Sequence, residues 1–227
     1  MKQLTVVTLD GPAGAGKSTV ARRLAHALKF RFLDTGAMYR AVTWAARTRG
    51  LEPREGESLK NLLEALRIEF HEGDRVLVNE EDVTETIRSS EVTAAVSSFA
   101  ALECVRTTLS STQRRMGEDG RLVCEGRDMG SVVFPDAALR VYLDASPEVR
   151  AERRALELEA HGQDVDRVQL LDEIRARDAA DSSRAVAPLK RLPEMHYLDS
   201  SHLDQDEVVR ILVDLAHRNL AELLQGD

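Results

Sequence analysis

One run, GPAGAGKST from Gly11 to Thr19, restricts the folds open to this chain more than any other feature. It matches GxxxxGK[ST] at Gly11, Gly16, Lys17 and Ser18, and stands between an apolar stretch, Leu4 to Leu9, and a helical pattern from Lys17 to Lys29. Without Cβ atoms, the glycines let successive backbone N–H groups turn inward and cradle phosphate oxygens at a helix N-terminus. The spacing predicts that Lys17 reaches the β and γ phosphates of a nucleoside triphosphate and that Ser18 ligates the Mg²⁺ bridging them. Gly11, Pro12, Ala13, Gly14, Ala15, Gly16, Lys17, Ser18 and Thr19 are therefore the candidate ATP contacts.

A second pattern recurs along the chain: an apolar run that ends in an acid and then in small residues. It appears in LTVVTLDG, RFLDTG, RLVCEG, RVYLDAS and HYLDSS. Each reads as a short buried strand opening into a loop, with helical patterns between, which predicts an α/β fold built on a parallel sheet. Ligands of such sheets bind beyond the carboxyl ends of the strands, where Asp10, Asp34, Glu125, Asp144 and Asp199 are expected to gather. Helices are expected over 17–29, 36–49, 90–117 with a break, 147–160, 164–181 and 206–224. Residues 208, 211, 212 and 215 form the buried stripe of the last of these. RIEFHEGDRVLVNEEDV breaks the parallel pattern: it alternates and turns at EGD and NEED, which predicts a small antiparallel hairpin inside an inserted segment of roughly 35–115.

The 227 residues carry 39 acidic and 31 basic side chains, a formal charge of -8, and this argues against DNA, RNA or an anionic membrane as the main partner. The cysteines, Cys104 and Cys124, are too few for a disulfide framework, and the histidines, His161 among them, lack metal-ligand spacing. The N-terminal apolar run is too short for a signal peptide or membrane span, so a soluble cytoplasmic protein is expected. Monomer is the default, because no apolar surface stripe repeats. Lysine is confined to positions 2, 17, 29, 60 and 190, which sets Lys17 apart inside the loop.

Where the γ-phosphoryl group goes is a separate question. A guanine-reading NKxD is missing, and Asp144 is followed by Ala145 and not by a water-polarising glutamate, so transfer to a bound acceptor is favoured over transfer to water. An acceptor with its own phosphate needs arginines, whose planar fork grips phosphate with two parallel bonds. Arg40 and Arg127 lie in loops after strands; Arg150, Arg153, Arg154, Arg177 and Arg184 lie on or beside helices. Residues 150, 153 and 154 share a helix face by spacing, and a solvated face paired with Glu157 and Glu159 accounts for them equally well.

GPAGAGKST, LDTGAMYRA, EDVTETIR, EGRDMGSVVFPDA and RDAADSSRAVAPL, in this order, resemble the bacterial cytidylate kinases from about Leu4 to the last helix. The resemblance implies a P-loop NTPase three-layer fold with a five-stranded parallel sheet: a core of 1–34, 116–149 and 185–227, a monophosphate-binding insertion at 35–115 and a helical lid at 150–184. It implies transfer from MgATP to CMP or dCMP. It places Thr35 near the acceptor, Arg40 and Arg127 on the acceptor phosphate, and Ser97, Arg106 and Asp128 around the cytosine ring. Arg177 and Asp181 fall near the sugar, Arg184 elsewhere in the nucleotide site, and Arg153 and Arg154 in the lid, as catalytic arginines beside Lys17 and Arg127. Another small kinase acting on UMP, AMP or a shikimate-like acceptor, or an ATP-binding module without turnover, stays open on the residues alone. Departures from the family pattern are Thr35 for serine, Ser18 for the glycine of some members, Glu125 for aspartate, Ala180 for arginine, and Glu80 where a turn glycine is frequent.

Overall fold

The computed structural model describes residues 4–71, 74–160 and 162–224. Lys2, His161 and Glu72–Gly73 of the expected EGD turn lie outside them. The chain divides into two compact units, 1–33 with 116–227 and 34–115.

The first unit is built on a parallel sheet of β1 (Leu4–Asp10), β2 (Arg31–Asp34), β6 (Leu122–Gly126), β7 (Ala137–Asp144) and β8 (His196–Asp199) in the order β2-β6-β1-β7-β8. All five expected strands are present. In register, Asp10 lies opposite Gly126 on one side and Tyr142 on the other, and Asp144 lies opposite Asp199. One face is covered by α1 (Lys17–Leu28) and α8 (Gln205–Leu224). Val7, Leu9, Leu139, Val141 and Leu143 of the strands meet Val20 and Leu24 of α1 and Val208, Leu212, Ala216 and Leu220 of α8 in one core. The stripe on α8 is thus longer than 208–215 and runs at four-residue steps, with Ile211 and Leu215 on its partly buried shoulders.

Beyond the carboxyl end of β6 the chain makes one π-helical turn, Met129–Val133, that the sequence did not announce. Gly130 is needed there, since a Cβ would lie 2.7 Å from Thr8 Oγ1. Two helices, α6 (Pro147–Ala160) and α7 (Arg167–Ser183), pack on one another, with Asp166 capping α7 by accepting from Val168 and Gln169 N–H.

The second unit holds α2 (Thr35–Thr48), α3 (Glu57–Ala65), α4 (Ser90–Ala100) and α5 (Glu103–Gly117, its last two residues in the first unit), with a three-stranded antiparallel sheet of β3 (Ile68–His71), β4 (Arg75–Val78) and β5 (Glu81–Asp82). The break expected in 90–117 falls between α4 and α5. Helix α3 was not anticipated, although Leu59, Leu62 and Leu63 bury one face at the three-and-four spacing. Asn79 and Glu80 join β4 to β5 at φ 48° and 72°, the left-handed pair that a two-residue hairpin turn needs.

Candidate functional site

Loop 11–16 leaves β1 and enters α1 with Gly11, Gly14 and Gly16 at φ 152°, 78° and 83°. Gly11 admits no side chain at all: a Cβ would come to 1.9 Å from the Leu143 carbonyl oxygen. Gly16 starts α1 without a side-chain cap, so the first amides of the helix face the loop as donors for an anion. Lys17 is buried and donates from Nζ to the Pro12 carbonyl at 2.7 Å. Burial drives its pKa well below the lysine norm, and the Arg127 guanidinium, then that of Arg177, adds to the fall.

The acids at the strand ends have distinct tasks. Asp10 is fully buried and accepts from Met129 and Gly130 N–H at 2.8 and 2.7 Å, which pins the segment after Arg127 to β1. Burial, the largest influence, raises its carboxyl to about 7. Glu125 reaches the Ser18 hydroxyl, which donates to Oε1 at 2.6 Å, so the longer arm of this acid is engaged at the loop. Asp144 accepts from Ala145 N–H and Asp199 from Ser201. Asp34, at the end of β2, caps α2 by accepting from Ala37 N–H and pairs with Arg40 at 3.3 Å.

Within the first unit, Lys17, Arg127, Asp128, Arg177, Asp181 and Arg184 come together. Arg127 Nε donates to Asp181 Oδ2 at 2.8 Å, and Arg184 lies 3.7 Å from both Asp128 and Asp181. Asp128 is buried. For Arg127 burial favours the neutral form, but the Asp181 carboxylate outweighs it and raises the pKa. For Asp181 burial alone would raise the pKa, and Arg127 reverses the sign and holds it below the usual 3.8.

Arg153 and Arg154 are placed elsewhere. Arg153 donates to the Ser200 hydroxyl and to the Ser200 and Leu203 carbonyls, whereas Arg154 pairs with Glu157 in solvent at 3.0 Å. Arg150 of the same helix is buried and turns to Asp178 of α7. Among the described residues the hydrogen bonds and ion pairs of the three arginines go to different partners.

In the second unit, Thr35 is buried at the start of α2, Ser97 is half-buried on α4, and Arg106 is buried on α5. The Arg106 guanidinium stacks 5.3 Å from the Tyr39 ring centroid and donates to the Ala100 carbonyl at 3.0 Å.

The cytidylate kinase family model matches residues 7–218. The chain belongs to the cytidylate kinase family. A bifunctional pantoate ligase/cytidylate kinase of Synechococcus sp. (strain RCC307) is 50% identical over 220 residues, covering 95% of this chain and 43% of its own length. The cytidylate kinase of Stutzerimonas stutzeri (strain A1501) is 48% identical over 227 residues, covering 97% of this chain and 99% of its own. The chain therefore spans less than half of the bifunctional relative and nearly all of the other. A solved structure of an uncharacterized protein from Eubacterium ventriosum ATCC 27560 superposes with a TM-score of 0.52 at 12% identity, covering 96% of this chain and 99% of that one, a likeness of fold alone.

Set against the family pattern, Ser18 gives the loop a hydroxyl beside the Glu125 carboxylate. Two adjacent hard oxygen donors suit Mg²⁺, which keeps several waters and takes few protein ligands. Among the described residues no group of three or more His, Cys, Asp or Glu could by itself hold a metal ion. Ala180 is exposed on α7, where an arginine would add a charge near the cluster. Sequence reasoning missed the tasks of Asp10, Arg150 and Asp178. Asp10 was visible as the acid before the loop, and Asp178 lay inside RDAAD, one residue after Arg177.

Proposed function

We propose that this protein transfers the γ-phosphoryl group of ATP, carried with Mg²⁺, to CMP or dCMP, giving ADP and CDP or dCDP in pyrimidine nucleotide metabolism. The observation that carries the reading is the convergence of Lys17, Arg127 and Arg177, whose charges already oppose one another at Lys17. Such cations are compatible when phosphates lie between them, and a triphosphate with a second phosphate is what a nucleotide kinase brings together.

In this reading the loop amides donate to the phosphate oxygens, and Lys17 leaves the Pro12 carbonyl for the β and γ phosphates. Its charge is fixed where negative charge shifts during transfer, which is the main catalytic contribution in this chemistry. Ser18 with Glu125 would hold the magnesium ion, which when bound neutralises phosphate charge. A phosphate oxygen of the acceptor forms the new bond to the γ-phosphorus while the bond to the β–γ bridging oxygen breaks. The attacking oxygen of the acceptor phosphate is already ionised at neutral pH, so no general base is needed, and the bridging oxygen leaves as part of ADP.

Arg40 and Arg127 hold the acceptor phosphate, with Thr35 beside it, Arg177 and Asp181 hold the sugar side, and Arg184 serves another part of the nucleotide site. Ser97, Arg106 and Asp128 read the base. Cytosine offers an N4 donor and an N3 acceptor, and uracil reverses both, so uracil leaves buried groups unpaired. Arg153 and Arg154 act from the lid. The protein is read as a cytoplasmic monomer that binds neither nucleic acid nor membrane; the excess of 39 acidic over 31 basic side chains argues against polyanionic partners, and among the described residues no helix is long and apolar enough to cross a membrane.

A coupled ADP assay with CMP, dCMP, UMP, AMP and shikimate as acceptors tests the reading. The expected result is kcat/KM for CMP above that for UMP by roughly 10⁴, the discrimination that buried mismatched polar groups provide. Turnover of AMP or shikimate alone would overturn it, as would ATP binding with no acceptor turned over.

A further inference from the structure

The side chain of Arg150 is buried to 3% exposure, on a helix whose next two arginines face other partners. Its charge is met on every side. Nε donates to the Ala145 carbonyl at 2.8 Å, and Nη1 donates to the Ala13 carbonyl at 3.0 Å and to Asp178 Oδ1 at 3.1 Å. Nη2 donates to Asp178 Oδ2 at 2.6 Å. Four of the five guanidinium N–H groups are thereby used, in a fork that lysine cannot reproduce.

The three partners belong to three different parts of the site. Ala13 is in the middle of the glycine loop, and the loop rests on Arg150 closely enough that a Cβ on Gly14 would lie 3.2 Å from Arg150 Cβ. Ala145 ends β7. Asp178 stands on α7 between Arg177, whose charge is felt at Lys17, and Asp181, which holds Arg127. A cavity of about 360 Å³ adjoins the contact, lined by Pro12, Tyr142, Asp144, Arg150, Asp178 and Tyr197 among others.

We propose that Arg150 is a positioning residue: by gripping Ala13 and Asp178 at once, it sets the distance between the phosphate-binding loop and the α7 groups that flank the transferring phosphate. The role rests on the kinase reading given above. Arg150 touches no reacting atom in it. Loss of the grip frees the loop and α7 to shift relative to one another, and misplacement by about 1 Å costs roughly 10²-fold in rate.

The test uses Arg150→Met, Arg150→Lys, Asp178→Asn and the double variant Arg150→Met/Asp178→Asn in the full chain. In the folded proteins kcat should fall roughly 10- to 100-fold, with KM for ATP and CMP changed less than about threefold, because alignment is lost and not contact. Arg150→Lys should fail to restore kcat, and the double variant should be no worse than the worse single one. A residue that only supports the fold would lower the melting temperature and leave kcat per folded molecule unchanged, and that result overturns the proposal. Amide hydrogen exchange of the ligand-free variants keeps this test separate from the identity of the acceptor. Exchange should rise together in 11–16 and in α7, and a rise in one segment without the other overturns the coupling even if CMP proves not to be the substrate.

Discussion

Arg127 Nε lies 2.8 Å from Asp181 Oδ2, and this ion pair joins the turn after β6 to helix α7. Each side chain is mostly buried, and each holds the other in its charged form. The folded pKa of Asp181 lies below its usual 3.8, so the pair's contribution to stability is present above that pH and is lost as pH falls through the folded value. Asp181→Asn should therefore flatten the acid limb of a stability profile taken by urea denaturation from pH 2 to 6. It should also raise KM for CMP more than KM for ATP, since Arg127 loses its anchor and the sugar side loses the Asp181 carboxylate. Equal rises would place the pair away from the acceptor.

Lys17→Ala should reduce kcat by several orders of magnitude while the fold survives, because it removes the charge at the transferring phosphate. Far-UV circular dichroism and single-turnover assays on one preparation check this. A folded variant with near-normal kcat would refute the assignment.

Arg153→Ala and Arg154→Ala should separate. Arg153 serves the carbonyls of Ser200 and Leu203, so its loss should cost about 1–2 kcal/mol of stability. Arg154 has an exposed i,i+3 partner, and its loss should change stability by less than about 0.5 kcal/mol. If both also act from a lid, kcat falls in each single variant. Unchanged turnover in both would make the first a tether and the second a solvated surface pair.

Base choice should respond to Asp128→Asn. Asp128 is buried 3.7 Å from Arg184, and an amide can present a donor or an acceptor where the carboxylate only accepts. Activity on CMP should fall and the CMP-to-UMP ratio of kcat/KM should narrow. Equal loss on both substrates would show that Asp128 orients Arg184 and that selection belongs to Ser97 and Arg106.

Glu80→Gly should stabilise the protein by about 1 kcal/mol. Glu80 holds φ 72° in the β4–β5 turn, a conformation that strains an L side chain by roughly 1–2 kcal/mol and glycine not at all, and this exceeds the extra chain entropy that glycine loses on folding. The shift in the urea midpoint measures it, and no gain would mean that the glutamate side chain compensates its own strain.

The loop, the five strands and the family were legible in the sequence because each is written in contiguous residues. GPAGAGKST needs neighbours at fixed offsets for its amides to converge, and an apolar run ending in an acid is a local pattern that the parallel sheet merely collects. The stripe at Leu59, Leu62 and Leu63 was equally local, and α3 could have been found from it. What each arginine does was not local. Spacing places 150, 153 and 154 on one stretch of α6, but the partners lie elsewhere: Asp178 on α7 and Ala13 in the loop for the first, the residues after β8 for the second, and Glu157 for the third. Asp10 likewise shows in sequence only as the acid before a glycine, and its grip on Met129 and Gly130 exists because β1 and β6 are neighbours. A charged side chain's role follows from what neutralises it once water is removed, and packing between segments distant in sequence decides that.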